Sequence, residues 1–237
     1  MKTTLHKAES RGHANHGWLD THHTFSFASY YNPERVHFGA LRVLNDDKVS
    51  GGEGFGLHPH DNMEIVSIPL SGELEHRDSL GNIAVIKEGE IQVMSAGTGV
   101  FHSEYNKSSE RNVEFLQIWI IPNKKNVAPR YDQLSIASIA KPNELYQILS
   151  PTPNDQGVWI YQNAWFYFGK LDKDWHGQYQ LHDKNNGAYL FIIDGEAEVE
   201  DNLLSRRDGV GIWEADSINI KTKTTATILL MEIPMHV

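Results

Sequence analysis

Cysteine is absent from the 237 residues. Disulfides, thiolate nucleophiles and thiolate metal ligands are therefore excluded, and any bound metal must take nitrogen and oxygen donors. No window approaches the roughly 18 consecutive apolar residues of a membrane-spanning helix, and the opening stretch MKTTLHKAESRGHANHGW lacks the apolar centre of a secretory signal. A cytoplasmic protein with no membrane partner is expected. Basic residues are also in deficit: 21 Lys and Arg stand against 31 Asp and Glu, a formal charge of −10. A field of that sign repels phosphate backbones and anionic lipid surfaces, which argues against direct nucleic-acid binding. Hydrophobic residues at 40% and charged residues at 22% match ordinary globular composition, so the chain should fold as one large or two modest domains.

Short apolar or alternating runs recur between Gly, Asn, Asp and Pro: HTFSFASYY, GALRVLN, EIVSIPL, EIQVMSA, VEFLQIWIIP, AYLFIID and ATILLMEIP. Their Val, Ile, Phe, Tyr and Thr content predicts strands of a sandwich or barrel, without long helices. From Pro122 to about Gly157 the composition turns polar and proline-containing. We therefore expect an N-terminal barrel over 1–123, a linker over 124–156 with room for one short helix in DQLSIASIA, and a C-terminal barrel over 157–237. PLSGELEHRDSLGNIAVIKEGEIQVMS in the first half and IIDGEAEVEDNLLSRRDGVGIWEADSINI in the second share an apolar run, a Gly, an acidic alternating strand and a second Gly turn. Such a repeat implies duplication of one barrel in an all-β chain. Arg206 and Arg207, inside that repeat, read as a solvated turn.

Ten of the 13 histidines precede residue 103. In GGEGFGLHPHDNME, His58 and His60 are two apart, and side chains two apart on a strand share a face. SAGTGVFHSEYN repeats the spacing with His102 and Glu104. Two such pairs facing one barrel interior make a set of three nitrogens and one carboxylate. That set suits Fe(II), Mn(II), Co(II), Ni(II), Cu(II) or Zn(II), and on an octahedral ion it leaves room for water, substrate or dioxygen. A single histidine is usually a hydrogen-bonded bystander, but two pairs at strand spacing reverse that reading. Glu64 shares the parity of His58 and is expected to support a ligand rather than be one. His76 in ELEHRD reads as packing or a turn contact. His13, His16, His22 and His23 read as surface or packing residues, and Phe25, Phe27, Phe115 and Trp119 as core.

At these residues the chain resembles a cupin, and more narrowly the pirin family in its bacterial group described as quercetin dioxygenases. Gly52, His58 and His60 match the cupin Gly-x5-His-x-His pattern with Glu64 as its carboxylate, and His102 and Asn106 match His-x3-Asn after Gly97 and Gly99. Ser95 and Gly97 stand near where cupins often carry proline. Pirin-like proteins use a Glu two residues beyond the third His, which here is Glu104. RGHANHGWLDTHHTFSF, HPHDNMEI, MSAGTGVFHSEYN and LQIWIIP also resemble family segments, covering the first half almost continuously. The second half is thinner: aligning Gly195 with Gly72 puts Leu181 and Asp183 where His58 and His60 stand, and WEADSINIKTK has no His.

The resemblance implies a bicupin, two tandem double-stranded β-helix barrels, the first holding one divalent transition metal and the second none. It implies Fe(II) as the preferred ion, with Zn, Ni, Mn, Co and Cu as alternatives. The implied activity is cleavage of the heterocyclic ring of a flavonol such as quercetin by dioxygen, with Glu104 able to take the substrate's proton. The competing implication is a metal- or redox-dependent regulatory binding protein that acts through a protein partner. A monomer is expected, and a storage-type bicupin without chemistry is disfavoured by the intact donor set.

Overall fold

A computed structural model describes residues 1–236; Val237 lies outside the described residues. The β-branched and aromatic runs form β1 (Lys2–His6), β2 (Gly12–Asn15), β3 (Leu19–His23), β4 (Leu41–Val49), β5 (Gly54–His60), β6 (Glu64–Ser71), β7 (Glu73–Asp78), β8 (Ile83–Lys87), β9 (Glu90–Ser95), β10 (Val100–Asn106) and β11 (Val113–Ile120). They continue as β12 (Arg130–Ser135), β13 (Tyr146–Ser150), β14 (Val158–Trp159), β15 (Trp165–Leu171), β16 (His176–Gln180), β17 (Asn186–Asp194), β18 (Ala197–Val199), β19 (Asn202–Leu204), β20 (Gly209–Trp213), β21 (Ser217–Thr222) and β22 (Ala226–Pro234). Helical structure among the described residues is limited to single 3-10 turns at Ala8–Ser10 and Ile136–Ser138. Among the described residues no helix is long and apolar enough to cross a membrane.

The strands close two barrels. In the first, the sheet β12-β9-β6-β11-β4-β3-β2 faces β5-β10-β7-β8; in the second, β1-β20-β17-β22-β15-β13-β14 faces β16-β21-β18-β19. The order β5-β10-β7-β8 recurs as β16-β21-β18-β19, and β9-β6-β11-β4 as β20-β17-β22-β15, so the duplication read from the repeat is present in the topology. Gly72 and Gly195 take φ of 78° and 82° at the equivalent turn. A Cβ on Gly195 would come within 2.2 Å of the Thr225 carbonyl oxygen, so that turn requires glycine.

The expected boundaries need correcting in two places. The first strand, β1, belongs to the second barrel, paired with β20 from Lys2↔Trp213 to His6↔Gly209. The expected linker carries β12, which pairs with β9 of the first barrel, and β13, which pairs with β15 of the second. Polar residues hid β12, an edge strand with little apolar alternation, whereas the short apolar β13 was masked by the polar, proline-containing residues around it.

The large sheets pack on each other, so their central strands are buried on both faces and read as near-continuous apolar runs. On β11, Leu116, Ile118 and Ile120 face the seam between barrels, against Tyr189, Phe191, Leu229 and Met231, while Phe115 joins a cluster with Leu19, Leu74 and Val113 in the first barrel. The seam also holds Asp46 between Arg11 (3.4 Å) and Arg207 (3.1 Å). Arg207 is thus buried and ion-paired, not solvated as its turn sequence suggested, while Arg206 stays exposed.

Candidate metal centre

Two neighbouring strands of the small sheet bring the donors together. Antiparallel pairing sets His102 opposite His58 and Val100 opposite His60, then shifts so that Glu104 faces Phe55. The shift leaves Gly56 and Leu57 against a single residue, Ser103, a bulge that absorbs one position without turning the histidines outward. Ring centroids lie 4.4 Å apart for His58 and His102, 4.9 Å for His58 and His60, and 5.0 Å for His60 and His102. One nitrogen from each of the three lies within 4.8 Å of the others.

The bulge also sets a tautomer. His58 Nδ1 lies 2.7 Å from the Gly56 carbonyl oxygen and must donate to it, which leaves the Nε2 lone pair free. On the other side, His76 Nε2 donates to Asp78 Oδ2 at 3.1 Å, and His76 Nδ1 stands 3.5 Å from His102 Nδ1. With His76 accepting at Nδ1, His102 carries its proton there and presents Nε2 as a lone pair. That Nε2 is buried and without a hydrogen-bond partner. Buried polar atoms are rarely left so, and a cation is the partner this one fits.

Glu104 is fully enclosed. Its carboxylate accepts from Ser67 Oγ at 3.0 Å and from Gln117 Nε2 at 2.7 Å. It forms a second set of donors with His76 and His102, each within 4.8 Å of the others. Glu104, His58, His60 and His102 line one cavity of about 80 Å³ with Phe27, Asn45, Asp47, Phe55, Gln117 and Trp119. Hollows of about 390 Å³ elsewhere, on the second barrel and in the seam, lack converging imidazoles. Donor chemistry, not size, marks this one.

Burial controls the charge states. His60 is pushed down to about 4 by burial and by His58, and His102 is pushed down by burial and by His58, His60 and His76. The His60 and His102 imidazoles therefore face the cavity neutral at neutral pH, ready to coordinate without releasing protons. Glu104 is raised to about 7 by burial, against the hydrogen bonds from Ser67 and Gln117, and Asp47 is raised to about 7 for the same reason, against its bond from Thr21. Asp78 stays below the ordinary carboxylate range: burial opposes this, but bonds from Asn82 and His76 prevail. The donor set therefore fits a first-row divalent cation.

Three expectations fare differently. Glu64 faces away from the cavity and accepts from Ser95 Oγ at 2.6 Å. Its shared parity with His58 is lost at the intervening turn, where Asn62 takes φ of 45°. Phe27 and Trp119 line the cavity, whereas Phe25 and Phe115 are core. Trp119 Nε1 is another buried donor without a partner. His76 makes the turn contact expected of it, on Asp78, but its place against His102 was not anticipated, although ELEHRD sets His76 and Asp78 two apart, the same spacing that singled out the other pairs. Asn106 is structural: its Nδ2 donates to the Val49 and Arg111 carbonyls at 3.0 and 2.7 Å.

The second barrel has no such centre among its described residues. Leu190, Ile192, Val210, Ile212, Ile218, Leu230 and neighbours fill its interior. At its mouth, buried Glu232 accepts from Tyr179 Oη at 2.6 Å, from the His182 N–H at 2.9 Å and from Asn186 Nδ2 at 2.7 Å.

Known proteins show the same plan. Residues 4–120 match the family described as Pirin and residues 147–233 match the quercetinase C-terminal cupin domain. The chain is 41% identical over 230 residues to the quercetin 2,3-dioxygenase of Escherichia coli (strain K12), covering 97% of this chain and 98% of that one. It is 35% identical over 221 residues to a pirin-like protein of Caulobacter vibrioides, covering 93% and 95%. The crystal structure of bacterial pirin YhhW in complex with nickel(II), from Escherichia coli, superposes with a TM-score of 0.94 at 40% identity, covering 100% of each chain. With relatives of that identity along nearly its whole length, two matched domains and one barrel of converging imidazoles, the chain belongs to the pirin family.

Proposed function

We propose that the protein is a mononuclear-metal dioxygenase that opens the heterocyclic ring of flavonols such as quercetin, with His58, His60, His102 and Glu104 as ligands and Fe(II) as the working ion. The observation carrying this reading is the buried, unpartnered Nε2 of His102, aimed into a cavity where His58 and His60 offer lone pairs. When bound, the ion supplies Lewis acidity for an enolate oxygen and a one-electron partner for dioxygen. The net change consumes one O2 and releases one CO, and the ring-opened product keeps both dioxygen atoms.

The protein's own part is positioning and proton handling. Glu104 is able to accept the substrate hydroxyl proton, its carboxyl held in place by hydrogen bonds from Ser67 Oγ and Gln117 Nε2. Phe27 and Trp119, their rings edge to face at 5.3 Å, form an apolar wall with one free N–H donor. Cavities that enclose drug-sized ligands measure about 300–1,000 Å³. With about 80 Å³ beside the donors, only the chelating edge of a flavonol enters the barrel and the rest lies across the rim. A smaller enediol-like substrate would fit whole.

Oxygen uptake and CO release with quercetin by iron-loaded, tag-free protein tests the reading; absence of both in protein shown to hold one iron refutes it. Glu104→Gln should depress turnover more than metal content, and equal losses would reduce Glu104 to a ligand alone. One observation favours a second reading, a redox-dependent regulatory binding protein. Leu57, Ile83 and Phe101 stand 72%, 68% and 51% exposed on the outer face of the sheet whose inner face carries the donors. Such a patch suits a protein partner, and partner binding that follows metal oxidation state, without oxygen uptake, would put this reading first.

A further inference from the structure

A second group of donors lies on the edge hairpin of the first barrel. β2 and β3 pair with His13 directly opposite His22 and Asn15 opposite Asp20. His13 and His22 therefore share a face, and Asp20, two residues before His22, joins them diagonally. The imidazoles stack at 4.4 Å with 17° between planes, and His13 Nε2 lies 2.7 Å from Asp20 Oδ1. One donor atom from each residue lies within 4.8 Å of the other two.

We propose that His13, Asp20 and His22 form a second divalent-cation site, with two imidazoles and one carboxylate suited to Zn(II), Ni(II) or Cu(II). The surrounding charges permit it. The cations that line the adjoining hollow, Lys48, Arg206 and Arg207, each have a carboxylate of their own: Glu114, Asp194 and Asp46. Arg11 also turns to Asp46. Asp20 pairs with His13 alone among the described residues, so its charge is free to meet a cation. Zinc–nitrogen bonds of about 2.0–2.1 Å require the donors to close by roughly an ångström or more, within reach of half-exposed side chains that no core packing holds. His13 and Asp20 side chains are 51% and 41% exposed, so water can complete the shell. The site sits at the sheet edge, apart from the cavity that His58, His60 and His102 line, and does not depend on their role.

The test is zinc stoichiometry in full-length, tag-free protein, stripped with chelator and titrated with Zn(II) against a chromophoric competitor. Wild type should bind two equivalents, and His13→Ala and His22→Ala should each lose one while His102→Ala loses the other. A stoichiometry unchanged by either hairpin substitution overturns the proposal. Because an exposed hairpin variant could shift the fold, Cu(II) broadening of the amide resonances of residues 13, 20 and 22 in wild type provides a second measurement. Unbroadened signals with both equivalents added would also overturn it.

Discussion

Glu104→Gln should stabilise the metal-free protein at alkaline pH and destabilise the metal-loaded one. The folded-state carboxyl is raised from 4.5 to about 7 by burial. A carboxyl with a raised folded pKa holds more protons folded than unfolded between those values, so the slope of unfolding free energy against pH is negative there. Stability from this group is intact below pH 4.5, declines as pH rises to 7, and stays at its lowest above 7. The gap between 4.5 and about 7, at about 1.4 kcal/mol per pH unit, gives a penalty of about 3–4 kcal/mol, and relief of Asp47, raised partly by Glu104, adds to what Glu104→Gln regains. Gln mimics the protonated acid: its amide oxygen can accept from Gln117 and its NH2 can donate to Ser67. At two to four degrees per kcal/mol for a chain of this size, apo E104Q should melt about 6–16 °C above apo wild type at pH 8. Near pH 5 the two should converge.

A bound cation inverts the sign, since it holds Glu104 ionised and adds ligand-binding energy that Gln contributes only weakly. Thermal or urea melts at pH 5, 6.5 and 8, with chelator and with saturating metal, read all four states. Equal apo stability of wild type and E104Q at pH 8, or an advantage that does not change with pH, would refute buried-carboxylate control of this site.

Metal affinity should fall about tenfold per pH unit below 7 as Glu104 takes its proton, and more steeply near 4 as His60 takes another; competition titrations from pH 8 to 4 read the slope, and E104Q should make it shallower just below pH 7. Asp78→Asn or His76→Ala, by freeing the His102 ring, should weaken metal binding about 10–100-fold with the fold retained by circular dichroism. Gly54→Ala would set a Cβ 2.3 Å from the Glu104 carbonyl oxygen and pry β5 from β10; metal content should drop while the melt of the second barrel's aromatic signal moves less. Trp119→Phe keeps the wall but removes the free N–H, and should raise KM for a flavonol more than it lowers kcat.

The fold was legible because the apolar runs and the glycine-marked repeat both report backbone geometry: Gly72 and Gly195 mark the same left-handed turn in each barrel. Strand parity likewise found His58, His60, His102 and Glu104, and one cavity receives all four. Parity failed at Glu64, where a turn with positive φ at Asn62 resets the count; Asp61-Asn62, residues that favour turns and left-handed backbone, was the one local signal of that reset. It also undervalued His76, because a single His in an acidic strand has the same appearance whether it packs or braces a ligand; only the pairing of Glu104 with His76 across β10 and β7 separates the two. The swap of β1 into the second barrel is an outcome of tertiary pairing and has no local signal.

The two barrels share a topology but spend their interiors differently, and the seam explains why both persist. Each large sheet buries one face against the other through Leu116, Ile118, Tyr189, Phe191, Leu229 and Met231, so most of the apolar burial that holds the pair together does not depend on what either barrel encloses. The second barrel fills its inside with aliphatic side chains and seals its mouth with Glu232. The first keeps two raised carboxyls, Glu104 and Asp47, and an unpartnered imidazole nitrogen inside, an arrangement that costs stability in the absence of a cation. Metal binding would stabilise the chain according to concentration and affinity, so relief of those buried groups is one part of that gain and coordination itself the rest.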